Sequence, residues 1–141
     1  MLVIFLTVWI LDSFVFKFST FLNGNVRWYF PVALGIIILA LAGYFTGAGL
    51  KTVFGEVRNP PQVITRGVFS IVRHPVYLGS IMTILGLTIM TLSLFSLIIW
   101  LIIVIFYYYI SRHEEKLLLA RFGNEYEDYM KEVPMLFPIR F

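Results

Sequence analysis

The sequence predicts an all-helical integral membrane protein with about four transmembrane helices, a tight C-terminal helical hairpin and an amphipathic helical tail. Three observations predict it. The 141 residues are 60% hydrophobic and only 13% charged, where a soluble domain carries roughly 25% charged residues. The apolar residues gather into four runs near residues 2–18, 29–50, 76–92 and 94–110, and a spanning helix needs roughly 17–25 of them. The last two runs are separated only by "TLSLF", a link so short that the helices on either side must fold back antiparallel.

The first run carries Asp12 and Lys17. No basic region precedes it, as one would precede the apolar core of a secretory signal, so it is expected to remain as a helix. An acid inside a span is a functional hint by default. Facing Lys17 or a neighbouring helix it is instead structural, the role favoured for Asp12. The second run has Pro31 in its first turn, where a missing N–H costs nothing. Trp9, Trp28 and Trp100 fit membrane anchoring or packing better than a ligand site.

Residues 51–75 form a polar loop containing "NPPQV" and "TRGVF". Both stretches break regular structure, and a loop of this length is commonly functional. Residues 111–141 form an interfacial tail. Within it "SRHEEKLLLARFG" reads as an amphipathic helix closed by Gly123. Asn124 is placed to cap a second helix, with Glu125, Glu127 and Asp128 in its first turn. Tyr126, Tyr129 and Met130 share one face of that helix.

Nine of the eleven Lys and Arg residues lie in this loop and tail, including Lys51, Arg58, Arg66, Arg73, Arg112, Lys116, Arg121, Lys131 and Arg140. The hairpin puts both regions on one side of the membrane, and the positive-inside rule makes that side cytoplasmic. The chain is read as one multi-pass unit, residues 1–141, without internal repeats. It has no cysteine, which removes disulfides, thiolate metal sites and cysteine nucleophiles. A net charge of +3 with no basic run leaves no nucleic-acid footprint.

The same hairpin brings Arg73, His74 and Tyr77 close to Glu114 and Glu115. A cation, an imidazole, a phenol and two carboxylates then meet at one depth. On spacing alone this set supports two accounts. One is a polar ligand held at the mouth of an apolar cavity. The other is a plain helix end, with Arg73 and His74 reaching the headgroups, Pro75 starting a helix, and the acid pair solvated beside Lys116.

Two stretches, "RHPVYLG" at 73–79 and "EEKLLLARFGNEYEDYMKEVP" at 114–134, resemble the isoprenylcysteine carboxyl methyltransferase and phospholipid methyltransferase families. Order and spacing match over about the last eighty residues. The resemblance implies an integral-membrane enzyme that uses S-adenosylmethionine, bound from the cytosolic side. By position it implies that Gln62, Val63, Ile64, Phe69, His74, Pro75, Val76, Tyr77 and Glu114 line the cofactor. Gly67 matches a glycine the family often places just after that loop segment. The sequence departs from the pattern where an arginine often precedes the first glutamate by four residues. Ile110 stands there, and Arg112 is the nearest candidate for a substrate contact. A family histidine would fall near Pro61.

The implied reaction is methyl transfer to a lipid-like or prenylated acceptor, foremost the carboxylate of an isoprenylcysteine. Phospholipid N-methylation and S-methylation of a small thiol are the near alternatives. Such a displacement needs positioning and a dry site, and no catalytic side chain or metal is expected. A more distant alternative is an NADPH-dependent membrane sterol-type reductase, whose phosphates would demand more converging basic residues than this tail offers. A proton path through Asp12, His74 and Glu114 is the non-enzymatic alternative.

Overall fold

The computed structural model describes residues 2–24, 26–55 and 61–139. Arg58 and Arg140 of the basic set, and Asn59 and Pro60 of the loop, lie outside the described residues. Among the described residues there are helices and no strand. They are α1 (Leu2–Ile10), α2 (Tyr29–Phe54), α3 (Pro75–Thr91), α4 (Leu94–Phe122) and α5 (Asn124–Glu132). Of the four expected spans, α2 and α4 are long and apolar enough to cross a membrane. Only 17% of the apolar window of each is buried within the protein, so most of their apolar side chains face outward. The helical stretch Val3–Phe16 and α3 are shorter.

Four boundaries differ from expectation. The second helix runs on to Phe54, four residues into the stretch expected as loop. The first helix changes character at Leu11 and continues to Phe16 as a π-helical turn, ending at Lys17 with φ 51°. The amphipathic stretch expected as a helix of its own is the continuous end of α4, which runs unbroken for 29 residues. Asn124 does not cap α5. Gly123 holds the cap position at φ 57°, and no side chain caps the helix. A glycine takes that left-handed turn without steric cost. Gly123 ends α4, its N–H donating to Leu119 O at 2.8 Å, and its own carbonyl then accepts from Tyr126 N and Glu127 N at 3.1 Å.

The chain sorts into two compact units, Met1–Gly43 with Ser80–Ile105, and Tyr44–Gly79 with Phe106–Phe141. In the first, α2 and α3 approach closely at two glycines. A Cβ on Gly35 would lie 2.8 Å from Gly86 O, and one on Gly86 would lie 3.2 Å from Gly35 O. Small residues permit such backbone proximity between apolar helices.

Polar groups in this unit are paired rather than left in the apolar interior. The start of α4 is capped by chain 75 or more residues away. Leu94 N donates to Ser19 O at 3.4 Å and Phe95 N to Ser19 Oγ at 3.1 Å. Ser96 N donates to Ser93 Oγ at 3.1 Å. Three of the four N–H groups that a helix N-terminus leaves unpaired thus have acceptors. Behind this cap, buried Asp12 accepts from Ser19 N at 3.0 Å, from Ser93 Oγ at 2.6 Å and from the Ser19 hydroxyl. The acid is therefore built into the cap, as its structural role requires. Trp9 Nε1 donates to Leu87 O at 3.0 Å and Trp100 Nε1 to Ile81 O at 3.1 Å, so these two indoles pack and bond within the helices.

Candidate functional site

The second unit gathers the polar residues singled out by the sequence. A 3₁₀ turn, Gly67–Ser70, opens on Gly67 at φ 63°, a conformation that favours glycine. The turn delivers Arg73 and His74 to the start of α3, where Pro75 opens the helix without needing an N–H partner. His74 lies beneath Tyr77, one turn on, with ring centroids 5.6 Å apart and planes 4° from parallel. Tyr77 in turn packs against Tyr107 of α4 at 5.0 Å.

From α4 come two carboxylates with different roles. Glu115 is 4% exposed and accepts from Arg73 Nε at 2.6 Å. Glu114 is 42% exposed and accepts from the Tyr77 hydroxyl. The His74 imidazole sits between them, Nδ1 3.6 Å from Glu114 Oε2 and Nε2 3.5 Å from Glu115 Oε1. Those separations are too long for good hydrogen bonds, and His74 Nε2 is buried with no hydrogen-bond partner among the described residues.

Two adjoining cavities border this cluster. One, of about 420 Å³, is lined by Gln62, Val63, Ile64 and Phe69 from the loop, with Leu118 and Phe122 of α4 and Tyr126 and Tyr129 of α5. The other, of about 410 Å³, is lined by Phe69, His74, Pro75, Val76, Tyr77 and Glu114 together with Leu50 and Phe54 of α2. Val53, Phe69 and Arg73 border both. Each is large enough for a small-molecule ligand. All nine residues named for the cofactor line one cavity or the other. Arg112 is exposed and lines neither. It follows buried Ser111 by one residue, about 100° round the helix, whereas Ser111 and Glu115, four apart, share the inward face. The substrate contact expected of Arg112 is not one that either cavity offers.

Sequence reasoning did not assign the α5 tyrosines to the site. Their signal was the apolar face of the tail helix. Tyr126 and Tyr129 pack with Val133 into a buried cluster against Val63, Leu118, Phe122 and Met130. Tyr129 Oη donates to Phe69 O at 2.6 Å, and Val63 N donates to Glu125 Oε1 at 3.3 Å. Burial pushes both phenols up, Tyr126 to about 12, with Glu115 adding to that rise and Arg73 opposing it.

An unfolded tyrosine ionises near pH 10. A folded value above this means that the unfolded chain loses its proton first. The contribution of Tyr126 to stability is therefore complete below about pH 10 and is lost as pH rises towards 12. Tyr126→Phe should match the parent in thermal melts at pH 8 and retain more of its neutral-pH stability above pH 10. Identical alkaline losses in the two chains would show that Tyr126 does not carry the effect.

The family profile described as phospholipid methyltransferase matches residues 30–125. The methanethiol S-methyltransferase of Crocosphaera subtropica is 30% identical over 94% of this chain and 51% of its own length. The protein-S-isoprenylcysteine O-methyltransferase of Schizosaccharomyces pombe is 30% identical over 87% of this chain and 56% of its own. A cobalt-zinc-cadmium resistance protein of Cupriavidus metallidurans is 28% identical over 87% of this chain and 59% of its own. The chain thus spans about half the length of the curated relatives it matches. No solved structure matches it.

Proposed function

We propose that this chain, which belongs to the phospholipid methyltransferase family, binds S-adenosylmethionine in its second unit and methylates an apolar, membrane-held acceptor. The observation that carries this reading is the His74 imidazole, buried between Glu114 and Glu115 with Nε2 lacking a hydrogen bond, at the edge of two ligand-sized cavities. The donor set fits the cofactor. Glu114, half-exposed, suits an ammonium group. The His74 ring can meet a carboxylate. The faces of Phe69 and Tyr77 suit a sulfonium.

When bound, S-adenosylmethionine supplies an electrophilic methyl group on a positively charged sulfur. The chain's own part is to orient and to exclude water. Glu114 and His74 hold the polar end, Phe69 and Tyr77 wall the reacting centre, and Leu50 and Phe54 offer apolar surface to the acceptor. A carboxylate acceptor is ionised near neutral pH and needs no base from the protein. Carboxylate O-methylation of the isoprenylcysteine kind is therefore the favoured reaction. S-methylation of a small thiol is the second, favoured by the Crocosphaera relative, which aligns with 94% of the chain.

The proposal includes four membrane crossings with the loop and tail on the cytoplasmic side. The basic bias and the apolar, outward-facing α2 and α4 support it. The face of α4 changes from Ile98, Ile102 and Ile105 through Tyr109 to Arg112, His113 and Lys116. That succession matches acyl chains, interface and headgroups.

Sealed vesicles of known sidedness test cofactor, acceptor and orientation together. Labelled S-adenosylmethionine added outside should be turned over only where the cytoplasmic face points out, and faster as the acceptor's apolar chain lengthens. Turnover from the other face would overturn the orientation. Equal rates with a water-soluble thiol would favour the thiol reaction. Binding of NADPH in place of S-adenosylmethionine would overturn the function.

A further inference from the structure

Two consecutive residues at the start of α3 hold the C-terminal segment by its main chain. Arg73 N donates to Pro134 O at 2.9 Å and His74 N to Met135 O at 3.1 Å. Arg73 Nη1 donates to Met130 O at 2.8 Å and also to Val133 O. These side-chain acceptors are carbonyls at the end of α5, a position where a helix lacks its own donors and carries the negative end of its dipole. Arg73 Nε meanwhile donates to Glu115 Oε1 at 2.6 Å. Arg73 is only 8% exposed. Its planar fork is what lets one side chain reach a carboxylate and two carbonyls at once, which a lysine ammonium on a single stem reproduces poorly.

We infer that Arg73 and Glu115 are positioning residues that clasp residues 124–136 in place, so that Tyr126 and Tyr129 wall the first cavity, and that they act on the ligand only through this segment. Glu114 and His74 line the second cavity, while Glu115 lines neither cavity. Arg73 borders both cavities, but its Nε and Nη1 donate to Glu115 and to the carbonyls at the end of α5. Glu115 Oε1 also stands 3.5 Å from His74 Nε2, so the carboxylate of the clasp lies beside the imidazole. The clasp itself stands on contacts within the chain, and its consequence for affinity rests on the proposed cofactor site.

Hydrogen exchange and steady-state kinetics on the full chain in detergent test this. In Arg73→Gln and Glu115→Gln, amides of residues 126–136 should exchange about tenfold faster or more, while those of α4 between residues 98 and 110 stay protected. The KM for S-adenosylmethionine should rise about tenfold with kcat at saturation little changed. Arg73→Lys should recover part of both effects. His74→Ala keeps its main-chain N–H and should leave exchange at 126–136 unchanged.

Unaltered exchange in both Gln variants would overturn the clasp. So would weaker cofactor binding in Arg73→Gln without faster exchange, since Arg73 would then be a direct ligand contact. If Arg73→Gln fails to fold, Arg73→Lys and Glu115→Gln decide by the same criteria. If the parent chain binds no S-adenosylmethionine, the proposed function fails, and the exchange comparison still decides the clasp.

Discussion

Asp12→Ala is expected to destabilise the chain by about 3–5 kcal/mol, one of the largest single-residue losses it offers. The carboxylate accepts three hydrogen bonds, from Ser19 N, the Ser19 hydroxyl and Ser93 Oγ. Asp12, Ser19 and Ser93 are all buried, so water cannot replace it. Each bond to a charged group contributes roughly 1.5–3 kcal/mol. The three share one acceptor group and do not add independently, which sets the figure below their sum. Ser19 and Ser93 also supply acceptors for the first N–H groups of α4, so losing Asp12 also loosens the cap that orients them. Asp12→Asn keeps one oxygen for Ser19 N and should cost about half as much. Thermal or denaturant unfolding in a fixed detergent reads both. An alanine variant as stable as the parent would show that the carboxylate is not part of the cap.

The sequence made some of these contacts legible and hid others for a physical reason. The link 91–95 fixes how residues on α3 and α4 face one another, so Arg73, His74 and Tyr77 could be brought to Glu114 and Glu115 before any coordinates. The structure does bring them together. The clasp was not legible because its acceptors are the carbonyls of Met130, Val133, Pro134 and Met135, and every residue type carries a carbonyl. The cap at α4 was hidden likewise, because Asp12 and Ser93 are 81 residues apart. Asn124 looked like a cap by residue type, yet the left-handed turn at Gly123 took the position. Arg112 looked like a site residue by proximity in sequence, and one residue of helical rotation turns it outward.

His74→Ala and Glu114→Gln should each weaken S-adenosylmethionine binding about 10- to 150-fold, the loss of one charged hydrogen bond of roughly 1.5–3 kcal/mol. Both variants should remain folded. Removing the His74 ring leaves the Arg73–Glu115 pair and the main-chain N–H of residue 74 in place, and glutamine at 114 still accepts from the Tyr77 hydroxyl. Neither residue is expected to lower kcat at saturating cofactor when the acceptor is a carboxylate. That group is already ionised near neutral pH, so a general base has nothing to remove. A thiol acceptor reverses the expectation, because its proton must leave before or during transfer and His74 and Glu114 both border the cavity as groups able to take it. Calorimetry gives the affinity and single-turnover rates give the chemistry. Weak binding with normal turnover at saturation supports a cofactor-holding role for each residue. Normal binding with lost turnover assigns the residue to the acceptor or its proton. If neither variant alters binding or rate, S-adenosylmethionine does not sit between His74 and Glu114, and the cavity lined by Tyr77 and Val76 belongs to something else.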